Sequence, residues 1–161
     1  MSSPRPYGPV TMNDDMNDRF RRVIDANLYM TLGTADEVGS PWATPVYFAH
    51  ADYREFVWVS KPGARHSQNI AARPQIGIVV FDSHAPIGTG GGVYMAATAE
   101  QLLGDDRVAA LEVFSARAVA HGGEAFALEE VEEPARLRLY RATATEHWVL
   151  DDRDLRQPVS P

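Results

Sequence analysis

The chain has 161 residues, of which 45% are hydrophobic and 23% charged, and its formal net charge is −7 at pH 7. This composition is typical of a globular domain with one core, and the acidic balance argues against a general nucleic-acid or anionic-membrane binder. The chain has no cysteine, which excludes disulfides, thiol catalysis and cysteine-ligated metals. No apolar run is long enough for a membrane span and no signal-peptide pattern is present, so we expect a cytoplasmic protein with a single domain, 1–161.

The first half of the chain predicts a helix followed by strands. The proline-rich residues 1–12 are expected to form a loose arm. Residues 13–27 predict a helix, because Phe20, Val23 and Ile24 fall at helical spacing on one side. The elements expected next are strands 28–34, 42–50 and 56–60, of which the last two form a hairpin, then a short helix 64–73 and a strand 76–81.

Two of these strands are apolar on both faces. Strand 56–60 contains Phe56, Val57 and Trp58 in succession, and strand 76–81 has the same character. A strand with one solvated face would alternate between apolar and polar residues instead. One face of each strand can line the interior of a barrel, whereas the other needs a covering helix or a second subunit. The second alternative predicts an oligomer.

The second half of the chain predicts a glycine-rich loop, a helix and further strands. The loop 83–92 lacks the lysine and the following helix of a phosphate-binding fingerprint, so we expect it only to connect strands. A long helix is expected from Asp105 to Gly122, with an apolar stripe of Val108, Leu111, Phe114 and Ala118. The remaining expectations are strands 93–103, 136–141 and 143–150, a solvated acidic stretch 124–133 and a loose tail 151–161. Six to seven antiparallel strands with flanking helices predict an α+β protein built on a barrel.

One turn concentrates side chains that suit an anion. A strand ends at Ser60, the chain turns on Pro62 and Gly63, and a helix opens with Arg65 and His66. The free N–H groups and the positive dipole end of a helix favour an anion, and basic side chains strengthen that preference. The alternative interpretation is an ordinary surface turn with solvated charges.

No other cluster in the sequence predicts a mechanism. The five histidines show no metal-ligand spacing, so we expect no metal site, and no catalytic residue can be nominated. Trp148 in the last predicted strand is either a core or interface residue or a contact for a ring-shaped cofactor.

The segment Val59–Pro74 resembles the flavin-phosphate segment of the pyridoxamine 5′-phosphate oxidase-like family. In that family a strand ending in a hydroxyl residue leads to a Gly-x-Arg-Lys turn and a short helix. The sequence ATPVYF at 43–48 is similar to the family's second strand, and LYRA at 139–142 with HWVL at 147–150 resemble its closing strands. The match extends from about Phe20 to Leu150.

This resemblance implies an antiparallel split β-barrel that forms a homodimer and binds two FMN molecules between its subunits. The cofactor contacts it implies are Thr44, Pro45, Val46, Tyr47 and Phe48 along the isoalloxazine, Val59 and Ser60 beside the ribityl chain and phosphate, Arg65 with Lys61, His66 and Ser67 at the phosphate, and Gly92 and Trp148 approaching from the partner subunit.

The chain departs from the vitamin-B6 oxidase itself at several positions. His66 stands where the oxidase has a second basic residue, Gly92 where it has an amide, and Ala49 where it has a substrate-binding lysine. The arginine- and histidine-containing motif that closes the true oxidase is missing after Trp148. We therefore expect a divergent family member that does not oxidise pyridoxamine phosphate.

The activity implied by the resemblance is that of an FMN-dependent oxidoreductase with an unassigned small-molecule substrate and no nucleic-acid or membrane partner. The cofactor supplies the redox chemistry, while the protein supplies binding, orientation and electrostatics. A reductase that uses the deazaflavin F420 is the nearest alternative, although the acidic tail of F420 would prefer a more basic groove than this chain offers. A non-enzymatic flavin or haem carrier is the alternative from a different functional class.

Overall fold

The structure is a computed structural model, and it describes residues 12–161. Residues 1–11, nearly all of the arm expected at 1–12, lie outside the described residues. The helices are α1 (Met12–Ala26), α2 (Arg65–Ala72) and α3 (Asp106–Ala120). The strands are β1 (Tyr29–Ala35), β2 (Pro41–Tyr47), β3 (Ala49–Ala51), β4 (Glu55–Ser60), β5 (Gln75–Phe81), β6 (Gly92–Gln101), β7 (Arg138–Leu150) and β8 (Arg156–Pro158).

The strands form a single antiparallel sheet in the order β2-β1-β5-β6-β7-β4-β3, with β8 paired to β7. The two end strands, β2 and β3, are consecutive in the chain and are separated only by Phe48. The backbone pairs with β1 before Phe48 and with β4 after it. The sheet must therefore curl until its ends meet at this residue. The predicted α+β class with a curled antiparallel sheet is confirmed, whereas the single strand expected at 42–50 is divided in two.

The interior of the curled sheet is filled by apolar side chains. Phe20 and Ile24 of α1 enter it and are fully buried, as the helical spacing predicted, and they join Phe48, Trp58 and Ile78 in one cluster. Burying such side chains is the main favourable contribution to folding. The core thus lies inside the half-barrel, and α1 covers one part of it.

Arg117 of α3 ties the helices to the point where the sheet curls. Its guanidinium donates hydrogen bonds to the carbonyl oxygen of Phe48 and, at 2.7 Å, to that of Asn27 just beyond the end of α1. The same group lies 4.4 Å from the centre of the Phe48 ring. Burial lowers the pKa of Arg117. The two carbonyl oxygens nevertheless stabilise its charged form, in the same way that the C-terminal carbonyls of a helix stabilise a cation.

The two strands that are apolar on both faces differ in how they are covered. On β4 the outward Val57 packs against Phe114 of α3, so a helix of the same chain provides the cover. On β5 the residues Ile76, Ile78 and Val80 face the core, while Phe81 is 51% exposed on the other side. Strand β4 is therefore covered by the chain itself and does not call for a second subunit. The outward side of β5 has no such cover at Phe81 and still suggests one.

Three further expectations differ from the structure. Val108 is 47% exposed, so the buried stripe of α3 consists of Leu111, Phe114 and Ala118. The strands expected at 136–141 and 143–150 are one continuous strand, β7, which bends through an irregularity opposite Ala96 and Ala97 instead of stopping. The tail expected to be loose contains β8, and Val159 is buried in the main cluster. No helix in the described part of the chain is long and apolar enough to cross a membrane.

We predict that Arg117→Leu destabilises the fold by roughly 2–3 kcal/mol, because it leaves buried carbonyl oxygens without their charged donor. Urea unfolding monitored by tryptophan fluorescence measures the change. Arg22→Leu is the matched control, since Arg22 is exposed on α1 and makes no ion pair within residues 12–161. If both variants lost the same small amount of stability, the account of Arg117 as a tie between elements would be wrong.

Candidate cofactor site

The N-terminus of α2 follows directly from the end of a buried strand. After β4 ends at Ser60, the N–H of Ala64 donates to the carbonyl oxygen of Lys61 at 3.1 Å, which closes the Pro-Gly turn. Ala64 is extended (φ −65°, ψ 147°), and no side chain caps the helix. The first N–H groups of a helix have no partner within the helix and form its positive end. This end of α2 therefore offers donors to an anion.

Arg65 is exposed at this end of the helix and is free of ion pairs within the described chain. Its guanidinium carbon lies 4.4 Å from the centre of the Trp42 ring on β2. Lys61 is also exposed, four residues earlier. The structure thus places both cations expected from the sequence at the start of α2.

His66 lies elsewhere than the sequence led us to expect. Its ring is buried, with Nε2 2.6 Å from the hydroxyl oxygen of Ser60. Burial lowers its pKa, which keeps the imidazole neutral near pH 7. A neutral ring that is bonded to Ser60 adds no positive charge for an anion, so Arg65 and Lys61 are the cations of this site.

The inner side of α2 carries polar residues where an amphipathic helix usually carries apolar ones. Asn69 is buried and donates to the hydroxyl of Thr34 on β1 at 3.0 Å. The hydroxyl oxygen of Thr44 on β2 is buried and has no hydrogen-bond partner within the described residues. The hydroxyl of Ser67 on α2 lies beside that of Tyr140, which interacts with it. A buried hydroxyl without a partner costs roughly 1–3 kcal/mol, so the Thr44 hydroxyl is suited to form a hydrogen bond with a ligand or a water molecule.

The outward side of β2, β1, β5, β6 and the second half of β7, which we call the outer face, carries a single charged side chain, Glu146, in its two central rows. One row across it, in register, is Ala43, Gly33, Gly77, Ala96 and Glu146. The next row is Pro45, Thr31, Val79, Tyr94 and Trp148. A Cβ atom added at Gly77 would meet nothing within 4 Å, and its backbone does not need a glycine. Nothing within the described chain therefore explains why the side chains of the first row, at Ala43, Gly33, Gly77 and Ala96, are so small.

The remaining residues nominated from the sequence fall into two groups. Pro45 and Tyr47 lie on the outer face together with Trp148, which is half-buried. Val46 and Phe48 point into the core, and Val59 packs beside α3. Residues of this second group can touch a ligand on the outer face only through their backbone.

Gly92 is covered by a side chain of its own strand. A Cβ atom at this position would lie 3.3 Å from the ring of Tyr94. The chemical group presented at the start of β6 is therefore the Tyr94 ring. Tyr94, Trp42, Thr34 and Asn69 were not among the site residues predicted from the sequence. The only signal available was the alternation of β2, which places Trp42 on the same side as Thr44.

A known protein family matches this chain over most of its length. The family model described as Pyridoxamine 5′-phosphate oxidase matches residues 16–151. The chain belongs to this family. The family prediction is thereby confirmed, while a search of curated protein sequences finds no match.

Solved structures that resemble this family member carry several different names. A haem-binding protein from Mycobacterium smegmatis superposes with a TM-score of 0.72 at 17% identity, over 89% of this chain and 57% of that one. HutZ, a haem storage protein from Vibrio cholerae, gives 0.61 at 15% identity, over 80% and 89% of the two chains. An FAD-binding protein from Mesorhizobium loti gives 0.63 at 19% identity, over 81% and 89%. At these identities the similarity establishes the fold alone. This chain spans little more than half the length of the Mycobacterium protein.

No group of three or more histidine, aspartate or glutamate side chains within residues 12–161 is arranged to hold a metal ion. The arrangement at α2 instead offers donors and two cations, which suit a phosphate or another anion.

We predict that folding stability falls as the pH drops below the ordinary histidine pKa of 6.5. Burial lowers the pKa of both His66 and His147. The unfolded chain therefore binds protons that the folded chain resists, and the resulting stability is present above pH 6.5 and lost below it. Urea unfolding between about pH 7.5 and pH 5 measures the slope, in a range where most carboxylates stay ionised.

The variant His66→Gln should reduce this slope, and His84→Gln should not, because the side chain of His84 is 95% exposed. An unchanged slope in the His66 variant would show that its imidazole is not held neutral by burial.

Proposed function

We propose that this chain is a flavin-dependent oxidoreductase that binds FMN with its phosphate at the N-terminus of α2, in a homodimer joined through the outer face. The observation that supports it most is at the N-terminus of α2, where no side chain caps the helix and where Arg65 stacks on Trp42 without an ion pair to any described residue. Membership of the family is consistent with a phosphate-bearing flavin.

The residues at α2 fit a phosphate monoester. A phosphate dianion needs several donors and a compensating charge, and it accepts hydrogen bonds from a guanidinium fork and from helix N–H groups together. Arg65 and Lys61 would hold it. When bound, FMN supplies hydride or electron transfer. The chain would bind the phosphate at α2, and residues 44–48 together with the partner subunit would orient the flat ring and exclude water from it.

A second copy of the chain is the proposed cover for the outer face. The row of small residues through Gly33 and Gly77 allows another surface to approach closely, and Phe81 and Tyr29 are exposed beside it. Apolar side chains that stay exposed on a sheet face are typical of an interface. Because the face carries only one carboxylate in its central rows, Glu146, two copies could meet with little charge to bury.

Haem binding is the second candidate function, favoured by the two similar structures named as haem-binding and haem storage proteins. A histidine that serves as the axial ligand would have to be accessible from the surface. The exposed candidates are His84 and His121, and the latter shares a 2.9 Å hydrogen bond between its Nδ1 and the hydroxyl of Tyr47. We rank FMN above haem because Arg65 and the α2 N-terminus match a phosphate. F420 ranks below FMN because its acidic tail would prefer a more basic groove than this chain offers.

We predict that Arg65→Ala weakens FMN binding about tenfold to a hundredfold, the loss of one charge-assisted hydrogen-bonding group. Quenching of flavin fluorescence measures the dissociation constant. Riboflavin is the matched control ligand because it lacks the phosphate, so both proteins should bind it about equally. Equal weakening of riboflavin and FMN would make Arg65 a structural residue. If the chain bound haem or F420 tightly and did not bind FMN, the proposal that FMN is its cofactor would be contradicted.

We predict that enlarging Gly77 breaks the dimer without harming the fold. A side chain at this position projects into open space in the single chain, and β-branched residues suit strands. Light scattering on the wild type should give twice the mass of one chain, and the dimer should weaken progressively in Gly77→Ala and Gly77→Val. Melting temperatures of the monomeric variants show whether they remain folded. A dimer unaffected by Gly77→Val would place the interface on another surface.

A further inference from the structure

The Arg65 side chain occupies a defined position although it forms no ion pair within the described residues. Its guanidinium carbon lies 4.4 Å from the centre of the Trp42 ring, within the range of a cation–π contact. Trp42 is itself 42% exposed. An exposed arginine that stacks on an exposed ring, without an ion pair to any described residue, has its charge available to a ligand.

The backbone of Trp42 is joined to two neighbouring elements, β1 and, through it, α2. It is paired with Thr34 of β1, whose hydroxyl lies 3.5 Å from the Trp42 carbonyl oxygen. The same hydroxyl accepts the 3.0 Å hydrogen bond from Asn69 of α2. The helix that carries Arg65 and the strand that carries Trp42 are thus joined through buried Thr34, so the two backbones are held at a fixed separation that brings ring and guanidinium within contact.

The carboxylate of Asp36 is held by its own turn. Hydrogen bonds from the backbone lower its pKa most, and the charge of Arg65 contributes to the lowering. Its Oδ1 accepts hydrogen bonds from the N–H groups of Val38 at 3.0 Å and Ser40 at 2.9 Å. Among the described residues Asp36 therefore forms no ion pair with Arg65, whose hydrogen-bonding edge remains available.

From these contacts we propose that Trp42 is a positioning residue, which holds the Arg65 guanidinium in place for the cofactor's phosphate. This inference rests on the proposed function. Stacking uses the flat face of the guanidinium, whereas a phosphate is bound by the N–H donors along its edge, so both contacts can exist at once. An arginine that is ordered before binding loses less side-chain freedom when the phosphate arrives, which raises affinity without a new contact to the ligand.

The test is a double-mutant cycle on FMN and riboflavin binding at one fixed salt concentration. Trp42→Leu is expected to weaken FMN binding about threefold to tenfold, which corresponds to the cost of ordering one long side chain on binding. Trp42→Phe keeps a ring and should retain part of the affinity. Riboflavin binding should not change in either variant, because it has no phosphate for Arg65 to hold.

The combination Trp42→Leu with Arg65→Ala distinguishes positioning from direct contact. If Trp42 acts through Arg65, the double variant binds FMN no more weakly than Arg65→Ala alone. Additive losses, or an equal loss for riboflavin, would overturn the inference and make Trp42 a contact of the cofactor ring. Unchanged FMN affinity in Trp42→Leu, with a clear loss in Arg65→Ala, would overturn the positioning role and leave the phosphate anchor intact.

The failure of the proposed function has a different signature. In that case Arg65→Ala does not weaken FMN relative to riboflavin, and the inference about Trp42 falls with it. Urea unfolding of Trp42→Leu should give an unchanged midpoint, since both partners are exposed. A large drop in the midpoint would assign the stack a purely structural role and contradict the proposal.

Discussion

The fold depends on the point where the backbone changes its pairing partner. At Phe48 the chain leaves β1 and joins β4, so the two ends of the sheet are held one residue apart. The Phe48 ring is fully buried, and its carbonyl oxygen accepts a hydrogen bond from Arg117, which also binds the end of α1. This single corner therefore fixes both the curl of the sheet and the placement of α1 and α3 against it.

The elements that sequence reasoning found are those with a strong local pattern. The helical spacing of Phe20 and Ile24, the turn before Arg65 and the apolar strands were all visible, because each follows from neighbours in the chain. The division at Phe48 was not, since an extended segment reads alike whether it has one partner or two. Likewise, α3 covers Val57 through a contact between residues far apart in sequence.

At the candidate site, too, the contacts between residues far apart in the chain were the ones that the sequence did not predict. Arg65 could be nominated because a basic residue at a helix start has a local rationale. The inward orientation of His66 could not, because it depends on the phase of an eight-residue helix and on a hydroxyl presented by β4. Trp42 was missed for a related reason, since its stack with Arg65 joins two elements whose approach is set by the core. The residues proposed to bind a phosphate could therefore be identified from the sequence, whereas the residue proposed to position them could be identified only from the fold.

A crystal structure of the chain grown with FMN tests the central claim most directly. The account predicts a dimer joined through the outer face. It also predicts that the phosphate lies at the N-terminus of α2, within hydrogen-bonding distance of an Arg65 guanidinium that still stacks on Trp42. A phosphate bound at any other place, or an α2 N-terminus occupied only by water while the flavin is ordered elsewhere, would contradict it.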